Sequence, residues 1–246
     1  MATAPPEDQR RLLEVQALDT RLQQLAHQRR NHPSLATVAE LESRMADLHG
    51  SLVDSRTAVA DLEREVTKAE TDVEQVRTRA ERDQQRLDSG SLGAKDAQAV
   101  VSELESLARR QGVLEETQLE IMERLEAHQT SLGEVEAAYG ELRAAKEKAE
   151  SERDAAFAEI DAARREVDEQ RAAAAAGLDA SLVTLYDRLR SQLGGLGAAA
   201  LRGNRCEGCR LELNPGDLAT ARGAASDQVV RCEECGRILV RDADAA

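Results

Sequence analysis

This sequence predicts an all-α fold: a long antiparallel two-helix coiled-coil hairpin, kinked near Pro33, with a small β module at its carboxy end. Three observations predict it. The first is composition: one third of the 246 residues are charged, with one Phe, two Tyr, no Trp and four Pro. A globular domain of this length normally buries large aromatic rings, and a chain rich in Ala, Glu, Arg and Leu without them has the composition of long helices. The second is an apolar repeat with a period of 3.5 residues. The third is one glycine-rich break between two stretches of that repeat.

The elements follow in order. Leu12, Val15, Leu18, Leu22 and Leu25 form a short amino-terminal helical stripe. His32-Pro33 interrupts it, because proline restricts the residue before it and lacks a backbone donor, and Pro33 then suits the first turn of the next helix. From there the seam runs Val38, Leu41, Met45, Leu48, Leu52, Ser55, Val59, Leu62, Val66, Ala69, Val73, Val76, Ala80, Asp83, Leu87. Thirteen of the fifteen are apolar over seven heptads, which is a coiled-coil seam rather than the stripe of a globular helix.

Asp88-Ser89-Gly90-Ser91-Leu92-Gly93 is a stop signal with a glycine cap. The seam resumes at Val100, Leu104, Leu107, Gln111, Leu114, Gln118, Ile121, Leu125, His128, Leu132, Val135, Tyr139 and Leu142. It weakens through Lys146, Ala149, Arg153, Ala156, Ile160, Ala163 and Val167. A last stripe, Leu178 to Leu193, ends at Gly194-Gly195. Two long helices joined by a short glycine loop fold back antiparallel, residue i facing roughly 181 − i, in an arm of roughly 80 Å at 1.5 Å per residue. Pro33 is then expected opposite Lys146–Arg153, and Leu178–Leu193 is expected to reach the terminal module. The predicted domains are the hairpin at 1–197, with its tip at about 88–95, and the module at 198–246.

The module carries the chemistry. Cys206-Glu-Gly-Cys209 and Cys232-Glu-Glu-Cys235 are two C-x-x-C hooks separated by 22 residues. Each hook turns two thiolates to one side, and two hooks complete a tetrahedron of soft sulfur ligands, so Cys206, Cys209, Cys232 and Cys235 are expected to hold one zinc ion. Disulfide or redox pairing lacks its context, with no secretion signal and no thioredoxin-like strand–helix unit. Rubredoxin-like iron favours an aromatic core, and the tail has none. Four thiolates leave no open position for water, so the zinc is structural: about 48 residues with few apolar groups do not fold on burial alone. Gly208 and Gly236 fit hook turns that need permissive backbone. Val229–Arg231 and Ile238–Arg241 read as short flanking strands, which makes the module a zinc ribbon.

Arg205, Arg210, Arg231, Arg237 and Arg241 surround the hooks and are candidate partner contacts; the plainer reading is solvated surface paired with Glu207, Glu212, Glu233, Glu234 and Asp242. Asp83, Asp88 and Asp96 at the tip either cap helix ends or form an acidic tip that reaches a partner's active site. His128 on the seam reads as a tolerated polar core position or a register device rather than a ligand, and Gln111 and Gln118 as register devices.

The formal charge is −14, of which the tail from Ala199 contributes −1, with seven Arg against eight Asp and Glu. Zinc with four thiolates adds −2. That argues against generic phosphate-backbone binding without excluding a local arginine patch. A predominance of Arg over Lys, 29 to 4, suggests a GC-rich bacterial genome. The amino terminus has no basic and apolar leader, and no run of 18 apolar residues exists. No signal peptide and no membrane span are therefore expected, and reduced cysteines at metal spacing point to the cytoplasm. A two-helix hairpin offers no water-excluding pocket, so neither catalysis nor a small-molecule substrate is expected.

With these residues in place, the chain resembles the bacterial coiled-coil proteins with a carboxy-terminal four-cysteine zinc ribbon. Cys232-Glu-Glu-Cys235-Gly236-Arg237-Ile238-Leu239 is similar to that family's ending, Arg205-Cys206-Glu-Gly-Cys209 to its first hook, and Ser89-Gly90 with Lys95–Val100 and Glu103 to its inter-helix segment. Gly93-Ala94 departs from a common Asn-Pro. The resemblance implies a non-enzymatic adaptor or chaperone-like role, with protein partners and nucleic acid as proposed ligands. Two alternatives stand beside it: regulation of RNA polymerase through the coiled-coil tip, and RNA binding by the ribbon arginines. Exposed seam flanks leave pairing between two copies open.

Overall fold

The computed structural model describes residues 2–241. The helices are α1 Pro6–Arg30, α2 Pro33–Asp88, α3 Ala94–Ala175, α4 Ala180–Gln192 and α5 Pro215–Gly223. The strands are β1 Ala198–Arg202, β2 Arg205–Cys206 and β3 Ile238–Val240. Two compact units result: an arm unit, Ala36–Glu150, and a terminal unit drawn from both ends of the chain, up to Leu35 and from Ser151 onward.

In the arm unit all fifteen seam positions of α2 are buried or half-buried, and between Val38 and Leu87 just Ala58 and Asp72 share that protection. The 3.5-residue period therefore marks out the shielded face. In α3 the seam positions from Val100 to Ala149 are likewise buried or half-buried, joined by Glu103 and Glu115, with one exception: His128 is exposed. An imidazole on a thin two-helix seam swings its polar edge into water, so it acts as no register device here.

Ion pairs across the arm give the register: Arg79 with Glu103 at 2.8 Å, Arg77 with Glu115, Glu65 with Arg124, Arg56 with Glu136 at 2.7 Å and Glu42 with Lys146 at 3.0 Å. Away from the tip, residue i meets about 190 − i, a shift from the expected 181 − i that places the pivot of pairing inside the first turn of α3. Exposed pairs of this kind contribute about 0.2–1 kcal/mol each at most. At the tip, Ser89 N–H donates to Gln85 O, and Gly90, at φ 65°, closes α2.

In the terminal unit, the helix break falls where Pro33 predicts: α1 ends at Arg30 and Pro33 opens α2. His32 lies edge-on to Phe157, with ring centroids 6.0 Å apart, so this level meets Phe157 rather than Lys146–Arg153. Arg29 stacks on the same ring at 4.5 Å and pairs with Asp161. The chain turns at Gly177, φ 76°, and Asp179 caps α4 by accepting from the Ser181 and Leu182 amides. Those bonds, led by the Ser181 side chain, lower the Asp179 carboxyl below its usual range.

The main core joins Leu12 and Val15 of α1 to Leu182, Tyr186 and Leu189 of α4, Ala198 of β1, and Ile238 and Val240 of β3. The stripe that starts at Leu178 thus meets the ribbon directly. Strand order is β2-β1-β3: β1 pairs antiparallel with β2 and parallel with β3, Ala198 opposite Ile238. Alternation sends Leu239 and Ala199 to a second core with Leu201, Leu213, Ala221, Cys206 and Cys232. The ribbon departs from expectation at Val229–Arg231, which form no strand. Val229 N–H donates instead to Ala2 O at 3.0 Å, Ala4 N–H donates to Asp227 O, and Arg231 keeps one isolated bridge to Ile238.

Candidate metal centre

The two hooks are built alike. Gly203, at φ 58°, turns β1 into β2, and β2 delivers Cys206, whose N–H donates to Leu211 O while its carbonyl accepts the Arg210 N–H at 2.8 Å. In the second hook Cys232 N–H donates to Arg237 O, and Cys232 O accepts the Gly236 N–H at 2.8 Å. The residue after each second cysteine is left-handed, Arg210 at φ 63° and Gly236 at φ 73°. Gly236 therefore has the conformational role expected of it. Gly208 does not: it is glycine for space, because a Cβ there would stand 2.9 Å from both Ala199 Cβ and Arg237 Cδ.

The four Sγ atoms lie within 4.8 Å of one another, Cys206 to Cys235 at 4.0 Å and Cys209 to Cys232 at 3.9 Å. A tetrahedron of thiolates about 2.3 Å from zinc has edges of about 3.8 Å, so the donor set fits the ion, and the sulfurs are far too distant for disulfides. Cys206 and Cys232 are buried, Cys209 and Cys235 half-buried. Without metal, burial pushes the Cys206 thiol up and that of Cys232 up to about 12. Burial also opposes ionisation of Cys235, but hydrogen bonds from the Arg237 backbone and side chain outweigh it, and the thiol falls to about 7. One structural zinc ion completes this centre, with every position taken by sulfur.

The candidate arginines separate by task. Arg241 donates to the carbonyls of Ala221, Ala224, Ala225, Ser226 and Gln228, and so ties the inter-hook segment together. Arg237 donates from Nε to Leu196 O at 2.9 Å and from Nη2 to Leu193 O at 3.3 Å. Arg231 Nε donates to Gly236 O at 2.7 Å across the second hook. Arg205 and Arg210 are exposed and make no ion pair among the described residues, beside Leu211, which is 52% exposed. Asp242 lies outside the described residues. At the tip Asp83 pairs with Arg79 and Arg86, Asp88 accepts from Gln84 at 2.8 Å, and Asp96 stands exposed in the first turn of α3.

Three buried polar residues of α1 escaped the sequence reading. Asp19, 0% exposed, accepts from Tyr186 Oη at 2.7 Å, Arg171 Nε at 3.0 Å and Arg190 Nη2 at 3.1 Å. Gln16 donates to Gly195 O and accepts from the Gly197 amide at 2.7 Å. Gln9 donates to Ala4 O and Ser226 O. Their signal was spacing: 9, 12, 16 and 19 step by three and four around Leu12. Asp19 lines an open cleft of about 860 Å³, but its oxygens are committed to the arginines and the tyrosine, which makes it a structural anchor. No helix among the described residues is long and apolar enough to cross a membrane.

Comparison with known proteins agrees with this architecture. Residues 15–194 match the family model of the CT398-like coiled coil hairpin domain, and residues 205–239 that of the C4-type zinc ribbon domain. An uncharacterized protein of Mycobacterium tuberculosis, Rv2229c, is 40% identical over 95% of both chains. A solved structure from Mycobacterium smegmatis superposes with a TM-score of 0.86 at 38% identity, covering 97% of this chain and 100% of that one. CT398 from Chlamydia trachomatis shares the fold, with a TM-score of 0.69 at 17% identity over 96% of this chain and 98% of its own.

Proposed function

This chain belongs to the family of the CT398-like coiled-coil hairpin, here followed by a C4-type zinc ribbon, and on that premise we propose a non-enzymatic, cytoplasmic adaptor or chaperone-like protein. It presents the coiled-coil arm and the ribbon to protein partners. One observation carries the reading: the first hook ends on an exposed arginine held in the left-handed backbone region, where glycine would sit without strain. Such a conformation costs roughly 1–2 kcal/mol for a residue with a Cβ, so Arg210 is kept at that position at a cost its side chain has to offset. Arg205 and Leu211 beside it complete a small mixed surface for a partner. The thiolates at the centre fold that surface and do no chemistry on a substrate, since no coordination position is left for one.

The test is capture of partners from bacterial cytosol by intact protein and by Arg205→Ala/Arg210→Gly, which leaves the zinc ligands and both cores untouched. Loss of a partner from the double variant supports the reading, and an unchanged set of partners refutes it. Nucleic acid is the second reading, favoured by the same two arginines and opposed by a chain charge of −14. Nuclease treatment and a salt series during capture separate it, because phosphate contacts weaken steeply with salt. Regulation of RNA polymerase through the tip rests on Asp96, the tip aspartate without an intrahelical partner among the described residues. Asp96→Asn abolishes any effect on transcription if that reading holds.

A further inference from the structure

We infer that Arg237 is a positioning residue that couples the zinc centre to the carboxy end of α4, so that metal occupancy sets the order of the Leu193–Ala198 junction. The inference rests on the zinc assignment and goes beyond it. Arg237 touches both hooks and the helix end. Its carbonyl accepts the Cys232 N–H at 2.9 Å. Its Cδ lies over Gly208 of the first hook, in space that a Cβ would fill.

The guanidinium faces the helix. Nε donates to Leu196 O and Nη2 to Leu193 O, and Leu193 is the C-cap of α4. The last carbonyls of a helix lack intrahelical donors, and a cation there also meets the negative end of the helix dipole. A planar fork can serve two carbonyls at once; the ammonium of a lysine is a point charge without that geometry. The junction is gripped from its far side by Gln16, which donates to Gly195 O and accepts from Gly197 and Ala198 N–H. Ile238 N–H adds a bond to Gly197 O.

The coupling follows from the contacts with the hooks. With zinc bound, both hooks are fixed, and with them the Cys232 N–H that holds the Arg237 backbone and the Gly208 surface under its Cδ. Without zinc, the hooks lose the ion that folds them, and the Arg237 side chain loses the surface on which its Cδ packs. The carbonyls of Leu193 and Leu196 then lose their donor, although neither residue lies near a metal ligand in sequence.

The experiment is hydrogen exchange by mass spectrometry on the full chain, with zinc and after chelation, alongside a chelator competition for zinc affinity. In the unsubstituted protein, chelation accelerates exchange at Leu193–Ala198 while peptides from α2 are unaffected. In Arg237→Ala and Arg237→Lys the zinc-loaded junction already exchanges faster, chelation adds little, and affinity falls on the order of 10-fold, as for other groups that orient metal ligands. Gly208→Ala, which displaces Arg237 with its guanidinium intact, gives the same result and guards against a variant that fails to fold. Zinc-loaded variants whose junction responds to chelation like the unsubstituted chain overturn the inference. A chain that takes up no zinc overturns the metal assignment instead.

Discussion

Arg210 and Gly236 occupy equivalent places in the two hooks, each directly after the second cysteine and each left-handed, at φ 63° and 73°. One hook uses the residue that adopts this conformation without cost, and the other uses one that does not. Arg210→Gly therefore relieves strain, partly offset by the greater freedom of glycine in the unfolded chain, for a net gain of about 0.5–1 kcal/mol. Gly236→Ala has the opposite sign and costs about 1–2 kcal/mol, its Cβ also coming within 3.1 Å of Arg231 Nη2. Thermal melts at a fixed zinc concentration measure both; a loss of stability in Arg210→Gly would refute the strain argument.

Zinc retention depends on pH in a direction the thiols dictate. Protons compete with the ion for sulfur, and burial favours the protonated form of Cys206 and of Cys232, the latter titrating only near 12. Binding in this range releases protons, so affinity falls as pH is lowered, and more steeply once pH passes below about 7, where Cys235 takes up its proton too. A colorimetric zinc-release titration from pH 8 to pH 5 checks the sign. Cys206→Ser leaves the ribbon unfolded and the zinc content near zero.

Removing the carboxylate of Asp19 leaves Arg171, Arg190 and the Tyr186 hydroxyl without their shared acceptor. Asp19→Ala costs about 3–5 kcal/mol, the range for breaking one partner out of a buried charge cluster. Tyr186→Phe, which removes one hydrogen bond and keeps the ring in the core, costs about 1–2 kcal/mol. Urea denaturation followed by circular dichroism separates the two magnitudes.

Gly50 of α2 and Gly140 of α3 stand at one level of the arm, next to His49 and Tyr139, whose rings are 6.1 Å apart. Neither glycine is needed for space, since a Cβ at either would meet nothing within 4 Å. Gly50→Ala and Gly140→Ala each stabilise the arm by about 1 kcal/mol, the helix preference of alanine over glycine. Melting of the single and double variants tests this, and a loss of stability would show that the glycines serve a packing role.

The sequence disclosed what depends on repetition and spacing. The seam from Val38 to Leu87 was readable because each of its positions faces the partner helix, and the hooks because metal geometry fixes their spacing. The helix break at Pro33 was readable from the chemistry of one residue. Strand β1 was not, because Ala198-Ala-Ala-Leu favours helix locally and becomes a strand through pairing with β3. Helix α5 carried a signal that went unused: Asn214 caps it by accepting from Asp217 N–H, with Pro215 in its first turn. The internal duties of Arg237 and Arg241 were invisible, since a guanidinium on backbone carbonyls leaves no pattern in the sequence.

Ala2 and Ala4 exchange hydrogen bonds with Val229 and Asp227, so the terminal unit closes on residues from opposite ends of the chain, with the arm inserted between them. During synthesis the hairpin has all of its partners available once α3 has emerged, and it can zip from the tip through local contacts. The terminal unit cannot, because β3 lies downstream of α3 and is made after it. A chain already zipped to the level of Glu42 and Lys146 has its two flanks gathered before that moment, which removes most of the loop that would otherwise have to close at random. The arm thus acts first on its own polypeptide, as the step that sets how fast the ribbon can find the amino-terminal helix.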